Sequence, residues 1–195
     1  METERLILDR FRESDRDGYF RCIAHDRKIL ETFMCRYAES PDDVDTAPMA
    51  ADERVFAIRL KETGGLVGMI LWFGEDGGSC EIGYALGSGY WGRGYAAEAV
   101  SEFLRYLFLE KGFRSVRASH FTGNRASGRV MEKCGMRYVR TSVNELTYLG
   151  IPRSLVWYSA DRDSWTGAGY AADENDRRDL PPQTLSQTEK NDGKR

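Results

Sequence analysis

Hydrophobic and polar residues alternate near the start of the chain, in ERLILDRF at 4–11, and this spacing predicts a strand. Ser14 is a candidate N-cap for a helix that continues to about His25, and a second short helix is predicted at 27–34. Residues 38–53 are rich in Pro, Asp and Ala, a composition typical of a loop or a weak helix. The chain therefore begins with one strand followed by short helices.

Three apolar runs follow at close spacing and predict strands at 54–61, 65–73 and 79–86. The connections ETG and GEDGG contain the residues that hairpin turns favour, so these strands are predicted to form an antiparallel meander. The hydrophobic period then becomes helical from Tyr95 to Lys111, and a glycine ends the run.

The remaining pattern predicts a strand in FRSVRAS, a helix at about 124–134, and strands at about 136–143 and 153–160. Strands that mostly follow one another, with helices interspersed, do not build a doubly wound parallel sheet. We expect an α+β fold with a mixed, mainly antiparallel central sheet of about six to seven strands, flanked by about four helices.

The composition changes after Trp165, where the sequence loses almost all large aliphatic residues. Such a segment cannot bury enough apolar surface to offset its ordering entropy. We predict one domain at 1–165 and a disordered polar tail at 166–195. The whole chain has 195 residues and is 41% hydrophobic, which suits one globular domain.

Charge and cysteine usage narrow the classes of function. The formal net charge is -3, so no overall basic field attracts nucleic acid. The four cysteines and two histidines show no zinc-type spacing, and no metal is expected. No signal-peptide pattern is seen, and the longest apolar run, 66–73, is too short to span a membrane. We expect a reduced, soluble, cytoplasmic protein.

A glycine-rich stretch, LGSGYWGRGYAAEA at 86–99, connects a predicted strand to a predicted helix. It contains G-x-G-x-x-G, but the dinucleotide fold also needs a carboxylate after the next strand, where this chain has Ser119, His120 and Phe121. The stretch also lacks the Lys-Ser/Thr end of a phosphate-binding P-loop. Free N–H groups and the helix dipole still predict an anion site, with a plain glycine-rich connector as the alternative. The residues of this predicted site are Gly92, Arg93, Gly94, Tyr95 and Ala96.

The strand before this stretch has one small face. Alternation places Glu81, Gly83 and Ala85 together, opposite larger side chains. Gly83 in mid-strand is typical of a bulge or of close approach by a ligand. Glu81 is then either a carboxylate beside that ligand or a solvent-facing strand residue.

Two motifs, EIGYALGSGYWGRGYAAEA and NRASGRVMEKCGM, resemble the GNAT acetyltransferase superfamily, and within it the RimJ/RimL-type N-acetyltransferases. The start ETERLILDRFRESD and the late YSADRDSW are also similar to that group. The resemblance covers everything except the tail. It implies a sheet whose central strands splay apart and acetyl-CoA as the co-substrate. Relatives form dimers, so a homodimer is an expectation that rests on the resemblance alone.

The resemblance also implies roles for individual residues. The pyrophosphate would lie on the pattern Q/R-x-x-G-x-G/A, which spans 91–96 here, with Trp91 at the first position. The pantetheine would pair with the strand backbone and lie beside Asn124 and Ser127 on the next helix. The tyrosine that protonates the leaving thiolate in many members is Met131 here, so Ser127 or water becomes the candidate acid. The strand residues concerned are Tyr84, Ala85 and Leu86.

The predicted function is direct, acetyl-CoA-dependent N-acetylation of a protein N-terminal α-amine or a small-molecule amine. Glu81 is the first candidate for the general base and His120 the second, with a backbone N–H near Leu86 for the oxyanion. No covalent cysteine intermediate is expected. The alternative is a non-catalytic module that binds or senses acyl-CoA. No specificity code for the acceptor is visible in 38–53 or 147–155.

Overall fold

A single mixed sheet organises the computed structural model, which describes residues 1–167. Its strands are β1 (Leu6–Arg10), β2 (Val55–Leu60), β3 (Leu66–Asp76), β4 (Ser79–Leu86), β5 (Ser115–Phe121), β6 (Arg137–Tyr148) and β7 (Ile151–Asp161). The order across the sheet is β1-β2-β3-β4-β5-β7-β6. Only β4 and β5 pair in parallel among these strands. The expected α+β class and the mainly antiparallel sheet are therefore confirmed.

Five α-helical segments accompany the sheet in the described residues. They are α1 (Arg16–Tyr19), α2 (Arg27–Leu30), α3 (Ala47–Ala51), α4 (Tyr95–Arg105) and α5 (Arg125–Lys133). A 3-10 turn precedes α1 and a π turn follows it, and a second π turn, Tyr106–Glu110, extends α4. The predicted helix at 95–111 thus consists of α4 and this π turn.

Several boundaries near the start differ from the prediction. Ser14 lies inside a 3-10 turn whose N-cap is Arg12, because the Asp15 carboxylate accepts the Arg12 N–H at 2.9 Å. The second helix ends at Leu30 rather than near 34. The Thr32 N–H and hydroxyl both donate to the Ile29 carbonyl, and this tightens the chain into a turn.

The sheet opens between β4 and β5. Their parallel pairing ends where Ile82 meets Ala118, whereas β4 stays paired with β3 as far as Leu86. β5 likewise stays paired with β7 to Phe121. The expected splay of the central strands is present. The bulge predicted at Gly83 is absent, because the ladder between β3 and β4 runs through Gly83 without a break. The pairing of β4 with β5 ends just before Gly83.

Two apolar layers cover the two faces of the sheet. On one face α4 buries Val100, Phe103 and Leu104 completely, which fixes the helix across the central strands. Burial of each such side chain stabilises the fold by about 1.5–3 kcal/mol. On the other face Ile23 and Ile29, from the segments around α1 and α2, pack against β2 and β3. The opening between β4 and β5 is therefore bordered by helical segments on both faces.

The predicted tail, 166–195, lies outside the described residues except for its first two positions. Within 1–167, no helix is long and apolar enough to cross a membrane.

Candidate functional site

A cleft of about 750 Å³ lies where β4 and β5 diverge. Its wall includes the second half of β4, the glycine-rich turn, the first turns of α5 and the segment after α2. The cleft thus brings together the two motifs that sequence analysis singled out, at 81–97 and 124–133.

The glycine-rich turn presents the start of α4 to this cleft. Gly92 and Gly94 have φ of 76° and 83°, a left-handed conformation that favours glycine strongly. Gly94 is the N-cap of α4, so the N–H groups of the first turn lack intrahelical acceptors. Tyr95 and Ala96, which belong to that turn, line the cleft. Free donors and the positive end of the helix dipole make this a binding place for an anion.

The other two glycines of the stretch have different surroundings. A Cβ at Gly87 would lie 2.9 Å from the Cys22 carbonyl oxygen, so close backbone packing requires glycine there. A Cβ at Gly89 would meet nothing within 4 Å, and nothing in the structure explains this glycine. Trp91, which is 44% exposed, donates its indole N–H to the Leu86 carbonyl at 2.8 Å and ties the turn to the end of β4.

Arg93 contributes to the turn through its backbone. Its guanidinium lies 6.0 Å from the centroid of the Tyr90 ring, outside the cleft wall, and its carbonyl accepts a hydrogen bond from Arg5 Nη1 at 3.0 Å. Arg5 also pairs with Glu98 of α4 at 2.6 Å. Partial burial acts to raise the pKa of Glu98, but hydrogen bonds from Thr3 and Arg5 outweigh it and lower that pKa. Arg5 therefore supports the turn from behind.

The free edge of β4 offers backbone groups to the cleft. The Gly87 N–H donates to the Val67 carbonyl at 2.9 Å, so these two residues are a hydrogen-bonded pair of the β3–β4 ladder. Hydrogen-bonded and non-hydrogen-bonded pairs alternate along an antiparallel ladder. By alternation, the backbone groups of Ala85 point to β3, while those of Tyr84 and Leu86 point to the open edge. The Leu86 carbonyl is occupied by Trp91.

The first turn of α5 faces the same edge. Asn124 caps the helix, its side-chain oxygen accepting the Ser127 N–H at 3.2 Å. The hydroxyls of Ser127 and Tyr84 lie 2.8 Å apart. Burial raises the pKa of Tyr84 strongly, so the phenol stays protonated at neutral pH. Met131 is 1% exposed and belongs to the core, and its thioether has no proton to donate.

Glu81 is half-buried in the cleft wall. Burial raises its pKa, Arg117 opposes that rise, and Glu145 adds to it. Glu145, which the sequence did not single out, accepts the Trp157 indole N–H at 2.7 Å and the Arg140 guanidinium at 3.3 Å. The cleft therefore holds one carboxylate with a raised pKa and a second one that is hydrogen-bonded.

His120, the second candidate for the base, also lines the cleft. It is 7% exposed, and its Nδ1–H donates to the Phe121 carbonyl at 2.8 Å. Nε2 faces α5, where a Cβ at Gly128 would lie only 2.8 Å away. Close packing of α5 on the ring explains the burial of His120.

The cysteines have no features of a nucleophile. Burial raises the pKa of Cys80 to about 12 and that of Cys134 to about 11, so both remain thiols at neutral pH. The Cys134 thiol donates to the Ala97 carbonyl at 3.3 Å.

Comparison with known proteins gives a consistent result. Residues 5–137 match the family model described as acetyltransferase (GNAT) domain. The chain is 38% identical over 87 residues to the FsC-acetyl coenzyme A-N(2)-transacetylase of Aspergillus fumigatus, a match covering 44% of this chain and 37% of that protein. It is 27% identical over 146 residues to the uncharacterized N-acetyltransferase YoaA of Bacillus subtilis, with 70% and 82% covered. The chain thus spans less than half of the Aspergillus relative.

Solved structures share the fold. A GNAT-family acetyltransferase from Bacillus anthracis aligns with a TM-score of 0.71 at 24% identity, covering 84% of this chain and 98% of that one. Spermidine N-acetyltransferase from Vibrio cholerae, solved with CoA and spermine, gives 0.71 at 17% identity, covering 83% and 98%. The ribosomal-protein-S5-alanine acetyltransferase from Vibrio fischeri gives 0.69 at 16% identity, covering 85% and 97%.

Proposed function

Because this chain belongs to the GNAT acetyltransferase family, we propose that it transfers an acetyl group from acetyl-CoA directly to a primary amine. Membership confirms the acetyltransferase class expected from the sequence. The observation that carries the proposal is the pairing of two left-handed glycines, Gly92 and Gly94, with the first turn of α4 at the wall of a cleft. We also propose that the chain belongs to the RimJ/RimL-type group of this family.

The proposed coenzyme site uses the turn and the free edge of β4. The pyrophosphate would accept hydrogen bonds from the backbone at Gly92, Arg93, Gly94, Tyr95 and Ala96, near the positive end of the α4 dipole. The amide-bearing pantetheine would pair with the backbone groups of Tyr84, next to Ala85, as an added strand, and its thioester end would lie at the Leu86 N–H. Asn124 and Ser127 would border it from α5.

In the proposed reaction the amine nitrogen bonds to the acetyl carbon and the carbon–sulfur bond breaks. The nitrogen loses one proton before the attack and a second as the amide forms, and the leaving sulfur gains one. The amine must first lose a proton, which at pH 7 costs about 1 kcal/mol for an α-amine and about 4.6 kcal/mol for a lysine. Glu81 is the proposed base, and its raised pKa brings it closer to that of an ammonium. The Leu86 N–H would stabilise the oxyanion.

The thiolate that leaves must gain a proton. Ser127 is the proposed donor, and the Tyr84 hydroxyl, 2.8 Å away, can pass a proton to it. The second amine proton, released as the amide forms, would restore the hydroxyl pair. A hydroxyl pair on β4 and α5 would then do what a single tyrosine on the helix does in many relatives.

A non-catalytic acyl-CoA-binding module is the second candidate, favoured by Met131 at the position of the usual tyrosine. Titration calorimetry with acetyl-CoA tests binding, and CoA-thiol release with a panel of amines tests transfer. We expect micromolar binding and thiol release only when an amine is present. Binding without amine-dependent release would support the module, and no binding of acetyl-CoA or CoA would exclude both.

A further inference from the structure

One part of the cleft wall is apolar and lies outside the proposed coenzyme site. A Cβ at Gly83 would lie 3.3 Å from Leu71 Cδ2, 3.6 Å from Phe73 Cε1 and 3.8 Å from Phe33 Cε2. Three apolar side chains from β3 and from the segment after α2 therefore converge on one glycine. We call this region, formed by Gly83, Phe33, Leu71 and Phe73, the Gly83 pocket. All four residues line the cleft.

The proposed base lies at the edge of the Gly83 pocket. Glu81 is two residues before Gly83 on the same face of β4, and its cross-strand partner is Phe73. Directly opposed side chains in antiparallel strands have Cβ atoms about 4.5–5.5 Å apart, so the carboxylate and the ring are neighbours. If the ammonium group of an acceptor pairs with Glu81, the rest of the acceptor lies beside Phe73.

The β6–β7 side of the cleft is also mainly apolar. Leu146, Leu155 and Trp157 line it, and the Trp157 indole N–H is already bonded to Glu145. Glu145 is paired with Arg140, so its charge is compensated. Among residues 1–167, no cationic side chain forms an ion pair with Glu81. Arg117, which pairs with Glu81 across β4 and β5, lowers the pKa of Glu81 without forming an ion pair with it. The cleft thus offers one carboxylate that no salt bridge engages, with apolar side chains on two sides of it.

We propose that the acceptor is a small primary amine with one positive charge and one apolar group, such as an arylalkylamine. Its nitrogen would meet Glu81, and its apolar group would fill the Gly83 pocket. A second ammonium on the acceptor would lose its hydration against Phe33 and Leu71 without gaining a partner, so diamines are disfavoured. This inference rests on the proposed acetyl transfer and identifies the class of acceptor.

The test compares kcat/KM for 2-phenylethylamine, ethylamine, 1,4-diaminobutane and an alanine-initiated peptide, with the full chain at saturating acetyl-CoA. We expect 2-phenylethylamine to exceed each of the others by about tenfold or more, because only its ring can fill the Gly83 pocket. A preference for the diamine or for the peptide overturns the proposal. So does a failure to acetylate apolar amines while acetyl-CoA still binds in calorimetry.

Two variants tie the preference to the pocket. Gly83→Ala narrows the pocket with a methyl whose tightest contact is the flexible end of Leu71 at 3.3 Å, and we expect about a tenfold loss with 2-phenylethylamine and little change with ethylamine. Phe33→Ala enlarges the pocket and should shift the preference toward larger aromatic amines. Equal changes for all amines, with acetyl-CoA affinity and Tm unchanged, overturn the role of the pocket. If the unsubstituted chain does not bind acetyl-CoA, the proposed function itself is contradicted instead.

Discussion

Arg5 and Glu98 form an ion pair behind the glycine-rich turn. The Arg5 backbone N–H donates to Glu98 Oε1 at 2.8 Å, and its Nε and Nη2 lie 2.7 and 2.6 Å from Oε2. The third guanidinium nitrogen holds the Arg93 carbonyl at 3.0 Å. A residue that precedes the first strand therefore positions the proposed anion site through its own contacts with the turn.

Arg5→Ala should weaken the binding of acetyl-CoA more than it weakens the fold. We expect the KM for acetyl-CoA to rise about three- to tenfold, with kcat nearly unchanged, since Arg5 acts on the turn and lies outside the cleft. Arg5 is 43% exposed, so the expected loss of stability is at most about 1 kcal/mol. Arg10→Ala, which removes a more exposed ion pair with Glu53, is the matched control for charge. Equal KM values in the two variants would contradict the role of Arg5.

Gly94→Ala should harm both the turn and the coenzyme site. A non-glycine residue at a φ of 83° costs about 1–2 kcal/mol, and the new Cβ would lie 3.4 Å from Arg5. We expect a lower Tm and at least tenfold weaker acetyl-CoA binding by calorimetry. Gly89→Ala, in the same stretch with open space around it, should change neither quantity. Similar behaviour of the two variants would mean that left-handed geometry does not shape the site.

Glu81→Gln should lower turnover more at pH 7 than at pH 9. At pH 7 the amine needs a base, whereas at pH 9 a larger fraction is already neutral. Because burial raises the pKa of Glu81, activity should fall on the acid side at a pH above the ordinary carboxyl range. A steady-state pH profile measures both effects, with the exposed Glu62→Gln as control. The same fractional loss at both pH values would argue against Glu81 as the base.

The same substitution has a defined effect on stability. A carboxyl whose folded-state pKa is raised stabilises the fold when protonated, and that contribution is lost as pH rises through the folded-state pKa. At pH 7 Glu81 is therefore a cost to folding, and Glu81→Gln should not lower the Tm. Thermal unfolding of both proteins at pH 4 and pH 7 measures this. A Tm that is lower in Glu81→Gln at pH 7 only would contradict the prediction.

Tyr84→Phe should reduce kcat by about tenfold with little change in the KM for acetyl-CoA, because the ring remains and only the proton supply to Ser127 is lost. Ser127→Ala should give a similar loss, and the double variant should lose no more than either single one, since the two hydroxyls form one hydrogen-bonded pair. Tyr138→Phe, at an exposed tyrosine, serves as the control. Single-turnover kinetics measures these losses. If the losses of the two single variants add in the double variant, the two hydroxyls act independently and the proposed pair is contradicted.

Local patterns in the sequence predicted those parts of the fold that local physics determines. The meander at 54–86 and the helix that begins at Tyr95 have a clear hydrophobic period, and both are present. The glycine-rich turn before that helix was predicted as an anion site from its glycines and the helix start. The structure adds that Gly92 and Gly94 both have a positive φ. The splay of β4 and β5 came only from the resemblance to a family, since no local pattern encodes it.

Other parts of the site depend on contacts between distant segments. Arg5 and Glu98 are 93 residues apart, and nothing near either one indicates the partner. The burial of His120 depends on the close approach of α5 at Gly128, which no pattern around His120 indicates. Gly83 was interpreted as a bulge or as a place where a ligand approaches closely. The unbroken ladder with β3 excludes the bulge, and the side chains that meet over Gly83 come from two other segments. Periodicity describes one element at a time, and these features arise between elements.

The separation of β4 from β5 gives the sheet two edges in its interior. An open edge normally invites strands from other chains, which is why proteins shorten or cover their outer edges. Here the unpaired part of β4 is four residues long, from Gly83 to Leu86, and is bounded by closed sheet on one side and by the glycine-rich turn on the other. A strand of typical length, about 5–6 residues, is longer than this edge, whereas the proposed pantetheine is a short amide-bearing chain. The fold thus keeps the hydrogen-bonding capacity of a β-edge while protecting it from aggregation.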